Sequence, residues 1–152
     1  MKTIVVGYDA SGGAERALDR AAELAEALAA RLVVVSVSEA PLPPSAPGLG
    51  PTGPMLVPGG TTPFTEPESN PKELAQRRLE QARSRLASRS VDADYVAEVG
   101  SPAERLLAVA DERDAELIVV GSGDHGLLER LIAQPVEEAV ARRAGRDVLI
   151  VH

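Results

Sequence analysis

A chain of 152 residues with 44% hydrophobic content suits one domain with one core, and 23 acidic against 16 basic residues leave a net charge of −7. That balance provides no field to hold a phosphate backbone or an anionic membrane, and Tyr8, Phe64 and Tyr95 are too few rings to stack single-stranded bases. The absence of cysteine excludes a disulfide framework, a thiolate nucleophile and a zinc–thiolate site, and His125 and His152 alone make a poor metal set.

The chain opens on one basic residue and a short apolar run, far less than a signal peptide needs, and no later apolar run is long enough to span a bilayer. The expectation is a cytoplasmic protein with no membrane and no nucleic-acid partner. Thr3 to Tyr8 reads as a buried strand closed by the turn Asp9-Ala10-Ser11-Gly12-Gly13. From Ala14 the period becomes helical, with Ala14, Ala17, Leu18, Ala21, Ala22, Ala25, Leu28 and Ala29 on one face. Leu32 to Val37 follows as a second strand, which completes the dimensions of a right-handed βαβ unit.

Ten of the twelve prolines (41, 43, 44, 47, 51, 54, 58, 63, 67 and 71) fall between Glu39 and Pro71, so neither helix nor central strand can persist there. Too little chain precedes this stretch for a second domain, and it reads as a surface insertion at about 39–71 in a single domain of residues 1–152, anchored by Met55-Leu56-Val57. Pro71 suits the first position of a helix that runs through Ser88. Val91 to Val99 then alternates apolar and acidic residues, as in a strand with a wet face or an exposed edge. Ser101 as N-cap, Pro102 at the first position and Glu104 in the first turn open a third helix whose buried face is Ala103, Leu106, Leu107 and Ala110. Leu117 to Val120 is a fourth strand, 127–144 a helical region, and Val148 to Val151 a fifth strand.

Strands alternating with helices imply an α/β fold: a doubly wound, five-stranded parallel sheet with helices on both faces, in the order 3-2-1-4-5. The third and fifth strands are then the edges. Val148 to Val151 is apolar on both faces, an aggregation hazard that a homodimer through this edge would remove. A proline at position 149 is expected to delete one donor of that edge.

In such a sheet the ligand crevice lies beyond the strand carboxyl ends where the order reverses, between the first and fourth strands. The two Gly-rich turns, Gly7 to Gly13 and Gly121 to Gly126, meet there, and the first helix points its positive end at the same place. Glycines that merely close tight turns would look the same. Gly121, Gly123 and Gly126 match G-x-G-x-x-G, but only 26 residues follow, too few for a dinucleotide unit, and no P-loop is present. Asp9 at a strand end can bond a ribose or an adenine amino group, although an aspartate bonding its own turn accounts for it equally well. No positioned base or metal set can be named, which argues against an enzyme.

Gly7-Tyr8-Asp9-Ala10-Ser11, Gly100-Ser101-Pro102-Ala103-Glu104, Ala115 to Ser122, Val136 to Val140 and Asp147 to Val151 together resemble the universal stress protein family over nearly the whole chain. The resemblance implies a small cytoplasmic α/β dimer from a family with nucleotide-binding and non-binding branches. The binding branch carries G-x2-G-x9-G-[ST] for the phosphates; here Gly121 keeps the first position, while Asp124, Gln134 and Pro135 occupy the others. Pro135 has no N–H, Gln134 fills room left by glycine, and Asp124 sets a carboxylate where phosphate charge would arrive. Two lost charge-assisted hydrogen bonds at roughly 1.5–3 kcal/mol each weaken such a site by orders of magnitude. Asp9 matches the adenine-side acid, and Val37 falls close to the position whose backbone meets the base. The resemblance therefore implies a non-catalytic stress-response dimer acting through unidentified protein partners, with no tightly held cofactor. The alternative is a stress sensor that binds ATP or AMP through Asp9, Val37, Val120, Gly121 and Ser122.

Overall fold

The computed structural model describes residues 2–40, 70–122 and 145–152. The expected Pro-rich insertion with Met55-Leu56-Val57, the helical region 127–144, and the motif positions Asp124, Gln134 and Pro135 lie outside the described residues.

Among the described residues five strands and three helices follow in the order β1 (Thr3–Gly7), α1 (Gly12–Leu28), β2 (Arg31–Ser38), α2 (Pro71–Leu86), β3 (Ala93–Val99), α3 (Pro102–Glu112), β4 (Leu117–Gly121) and β5 (Asp147–Val151). The strands form one all-parallel sheet in the order β3-β2-β1-β4-β5, as the alternation of strand and helix patterns predicts. Each crossover is long enough to carry a helix, so successive strands can run parallel.

Side-chain alternation divides the core between the two sheet faces. Ile4, Val6, Leu32, Val34 and Val119 pack on one face against α1 and α2, where Ala17, Leu18, Ala21, Leu79 and Ala82 are buried. Val5, Val33, Val35, Ile118 and Val120 pack on the other against Leu106, Val109 and Ala110 of α3. With so few aromatics, small side chains bring α1 close to the sheet, and the core is made by Val, Leu and Ala.

Several boundaries differ from the sequence expectation for identifiable reasons. The first helix starts at Gly12 instead of Ala14, because the Ser11 hydroxyl accepts the Ala14 N–H at 3.2 Å and caps the helix ahead of its two glycines. At its other end Ala29 turns left-handed (φ 50°), and Leu28, expected in the core, is 51% exposed. In α3, Ser101 occupies the N-cap position without a side-chain capping bond, and Val109 takes the buried place expected for Ala103, which is only half-buried. Two serines, Ser36 and Ser38, are buried in β2 with hydroxyls that find no hydrogen-bond partner among the described residues.

The edge strand β5 is half in the core. Leu149 and Val151 pack toward α1, while Val148 and Ile150 are 46% and 37% exposed on the other face. Its amides also alternate. The Asp147 N–H donates to the Glu116 C=O at 3.3 Å and the Val151 C=O accepts the Ser122 N–H at 2.7 Å. By the period of two, Leu149 also turns its N–H inward to β4, and the outward amides are those of Val148 and Ile150. This corrects the expectation for position 149: a proline there would break the sheet from within, not remove an edge donor.

Candidate functional site

Above the end of β1 the sheet opens. The Val35 C=O accepts the Tyr8 N–H at 2.8 Å on the β1 side, and the Ser38 C=O accepts the Gly100 N–H at 2.9 Å on the β3 side. Alternation therefore directs the backbone amide of Val37 toward the line of β1, past its last residue Gly7. On the opposite flank the even residues of β4 face β5, as Ser122 does through its N–H, so the amide of Gly121 turns back toward the same line. The two amides flank the position where Tyr8 and Asp9 leave the sheet, the reversal point expected from topology.

The start of α1 forms the floor. A Cβ built on Gly121 would lie 2.2 Å from the Gly13 carbonyl oxygen and 2.8 Å from the Ala14 nitrogen, so only glycine lets β4 end against the first helical turn. Gly121 is thus required by packing, one of the two readings that the sequence left open, and that packing also carries the positive end of α1 to the crevice. Arg16 folds back along this turn, with its guanidinium 3.6 Å from where a Gly12 Cβ would sit.

Asp9 is half-buried, and its Oδ1 accepts the Ser11 N–H at 3.0 Å. The carboxylate builds its own turn, whose next residue, Ala10, is left-handed at φ 64°, while Oδ2 is not used by that bond. Beside Asp9, Tyr8 is buried against α1, and its phenol is pushed above its ordinary pKa by burial first and by the nearby Glu15 next. On the β2 side the Arg78 guanidinium of α2 approaches the Val37 carbonyl at 3.5 Å, a cation that sequence spacing alone does not place.

Val37 and Val120 have buried side chains on the α3 face, so Val37 contributes its main chain and Val120 supports the crevice from below. Ser122 spends its N–H on Val151 and can meet a ligand only through its hydroxyl, which lies 2.8 Å from Nδ1 of His152. The sequence weighed His152 only as a metal ligand; the contact joins residues at the ends of two neighbouring strands, which only the strand order brings together. Among the described residues no cluster of three or more His, Cys, Asp or Glu could hold a metal, and no helix is long and apolar enough to cross a membrane. Asp9, Val37, Gly121 and Ser122 thus lie at the carboxyl ends of β1, β2 and β4, about the point where the strand order reverses, with Val120 buried beneath, while Asp124, Gln134 and Pro135 lie outside the described residues.

The family model of the universal stress proteins matches residues 1–152. The chain belongs to the universal stress protein family. It is 35% identical over 156 residues to universal stress protein Rv1636 of Mycobacterium tuberculosis, covering 99% of this chain and 96% of the relative. With universal stress protein YxiE of Bacillus subtilis it shares 33% identity over 150 residues, 97% of each chain. A crystal structure of a universal stress protein in complex with cAMP superposes with a TM-score of 0.62 at 28% identity, covering 99% of this chain and 97% of that one. The parallel 3-2-1-4-5 sheet is the α/β fold of this universal stress protein.

Proposed function

We propose that this universal stress protein is a cytoplasmic, single-domain, non-catalytic stress-response protein that works as a homodimer through protein partners and does not hold ATP tightly. The observation that carries the reading is the split character of its crevice. The directions of the Val37 and Gly121 amides toward one line, with Asp9 beside it, support a nucleoside end, whereas Asp124, Gln134 and Pro135 stand where the family resemblance would set the phosphate donors. A nucleoside with one phosphate fits this arrangement better than a triphosphate, and the cAMP complex of a relative supports an adenine nucleotide as the occupant.

The non-enzymatic part rests on the sequence, in which no positioned base or metal set can be named. Ser122 and His152 are within hydrogen-bond reach, but among the described residues no carboxylate hydrogen-bonds the imidazole to orient it as a general base. The homodimer rests on β5, whose outward amides belong to Val148 and Ile150, the residues whose apolar side chains are exposed. An isologous contact through this edge would pair two identical strands antiparallel and satisfy both.

Isothermal titration of the purified protein with ATP, AMP, cAMP and adenosine tests the reading. AMP or cAMP should bind at least about tenfold more tightly than ATP, a difference of about 1.4 kcal/mol. Micromolar ATP affinity would overturn it. The triple variant Asp124→Gly, Gln134→Gly, Pro135→Ser should then gain ATP binding, because each change removes a specific obstacle to the phosphates. A folded triple variant that still ignores ATP would show that the loss has another cause.

A further inference from the structure

The Ser122 hydroxyl and the His152 imidazole, 2.8 Å apart, close the β4–β5 side of the crevice, and nothing in the reading above uses the imidazole. Because the Ser122 N–H is committed to the Val151 carbonyl, the hydroxyl is this residue's whole contribution to a ligand. What the hydroxyl can offer depends on the ring beside it. With Nδ1 unprotonated, the serine O–H donates to it and its proton is spent inside the pair. With the ring protonated, Nδ1–H donates into Oγ, the serine proton is free to turn outward, and Nε2–H adds a second donor on a cation. A pair satisfied by itself thus becomes a two-donor positive site.

We infer that Ser122 and His152 together form the phosphate-recognising pair of this crevice, taking one phosphate group of a nucleotide, monoester or diester, in the imidazolium form. The inference rests on the reading of the crevice as a nucleoside-phosphate site and supplies the anion contact which the Asp124, Gln134 and Pro135 positions lack. The surroundings suit an anion. The first turn of α1 abuts Gly121, the residue before Ser122, so the positive end of that helix lies at the end of β4.

The other charges on the packed elements are accounted for. Glu15 in that turn lies 3.6 Å from Arg85, and Asp9 before it bonds the Ser11 N–H. Glu116, which precedes β4, sits at the opposite end of the sheet 3.8 Å from Lys2. Also at that end, Arg146, which precedes β5, pairs with Asp111, and Asp147 begins the strand. Among the described residues none of these side-chain carboxylates hydrogen-bonds the imidazole.

The test uses cAMP, because its phosphodiester keeps one negative charge across the range in which imidazoles titrate, and adenosine as the phosphate-free probe. Wild-type affinity for cAMP should rise about tenfold from about pH 8 to about pH 6, while adenosine binding stays constant. His152→Gln should bind cAMP with the weak, pH-independent affinity of the neutral pair, and Ser122→Ala should lose at least about half of the gain on a logarithmic scale. His125→Gln should respond as wild type does. A pH response that survives in His152→Gln, or wild-type cAMP binding that is flat, would overturn the pair and leave the nucleotide reading standing. Absence of binding by both probes at every pH would overturn both.

Discussion

The two edges of the sheet solve one problem in opposite ways. Along β3 the exposed edge is fenced by charge: Asp94 pairs with Arg113 at 3.1 Å and with Arg31 at 3.8 Å, Arg31 also meets Asp92 at 3.5 Å, and Arg83 lies 4.6 Å over the Tyr95 ring. Along β5 no ion pair forms beyond its first residue among the described residues, and Val148 and Ile150 face outward. Long charged side chains at an edge deter a second strand, whereas bare Val and Ile beside open amides invite one. The contrast teaches that the apolar edge is not carelessness of composition, since the same chain guards its other edge thoroughly.

The largest expected effects break the β5 side. Leu149→Pro removes an inward donor to β4 and leaves a buried carbonyl unpaired, a loss of about 1–3 kcal/mol before any strain, and should lower the thermal midpoint sharply. Ile150→Pro removes only an outward donor and sets a pyrrolidine ring where a partner strand would approach. By sedimentation equilibrium it should be a folded monomer under conditions in which the proposed homodimer would hold the wild type together. Equal thermal losses in the two variants would contradict the amide directions, and a wild-type monomer at micromolar concentration would remove the dimer.

The next effect comes from giving β3 the character of β5. Asp94→Val with Glu98→Val removes two carboxylates from the half-buried edge, and light scattering should show assemblies larger than a dimer. Stability in urea should change by less than about 1 kcal/mol, because the pairs lost are exposed. A double variant that remains dimeric would show that the charges of β3 are not what protects that edge.

How far these distinctions were legible varies with their physical origin. Strand and helix placement follows from hydrophobic period and the Gly and Pro boundaries, which are local, and Thr3–Gly7, Pro71–Leu86 and Leu117–Gly121 fall close to their patterns, whereas the strand order came from the doubly wound fold type. The start of α1 was masked by Gly12 and Gly13, poor helix formers that the Ser11 cap overrides. The outward parity of Val148 and Ile150 depends on register with β4, and composition carries no register. In the crevice, Asp9 and Gly121 were readable as residues at strand ends. Arg78 and His152 were not, because their contacts at Val37 and Ser122 cross 41 and 30 positions of sequence.

A smaller effect concerns acid. Between α1 and α2, which pack on the same face of the sheet, Arg85 donates to both carboxylate oxygens of Asp19 at 2.9 and 2.7 Å, and this bidentate bond holds the Asp19 pKa below its ordinary value. A lowered folded pKa stabilises the fold above the ordinary carboxylate range, and that contribution disappears as pH falls through the folded value. Melts between about pH 5 and about pH 3 should therefore lose roughly 0.5–1 kcal/mol more in wild type than in Arg85→Ala, after discounting for exposure. Among the described residues the β5 edge carries no such pair, so Ile150→Pro should show the same acid slope as wild type. An Arg85→Ala slope identical to wild type would mean that the pair adds nothing to folding.

The smallest expected change sharpens the comparison most. Arg31 is about half exposed and bridges Asp92 and Asp94, so Arg31→Gln should cost no more than about 0.5 kcal/mol in urea. The variant nevertheless leaves two neighbouring carboxylates less compensated on the β3 edge, although Arg113 still holds Asp94. If charge is what guards this edge, the surplus negative field should make it less prone to accept another strand, and the variant should aggregate more slowly on heating than wild type at low salt. Raising salt to about 1 M shortens the Debye length to about 3 Å and should erase that advantage while leaving the proposed β5 contact in place, since apolar burial is not screened. A variant that aggregates faster at low salt would instead show that Arg31 guards β3 through the packing of its aliphatic stem, and the contrast between the edges would then be one of coverage and not of charge.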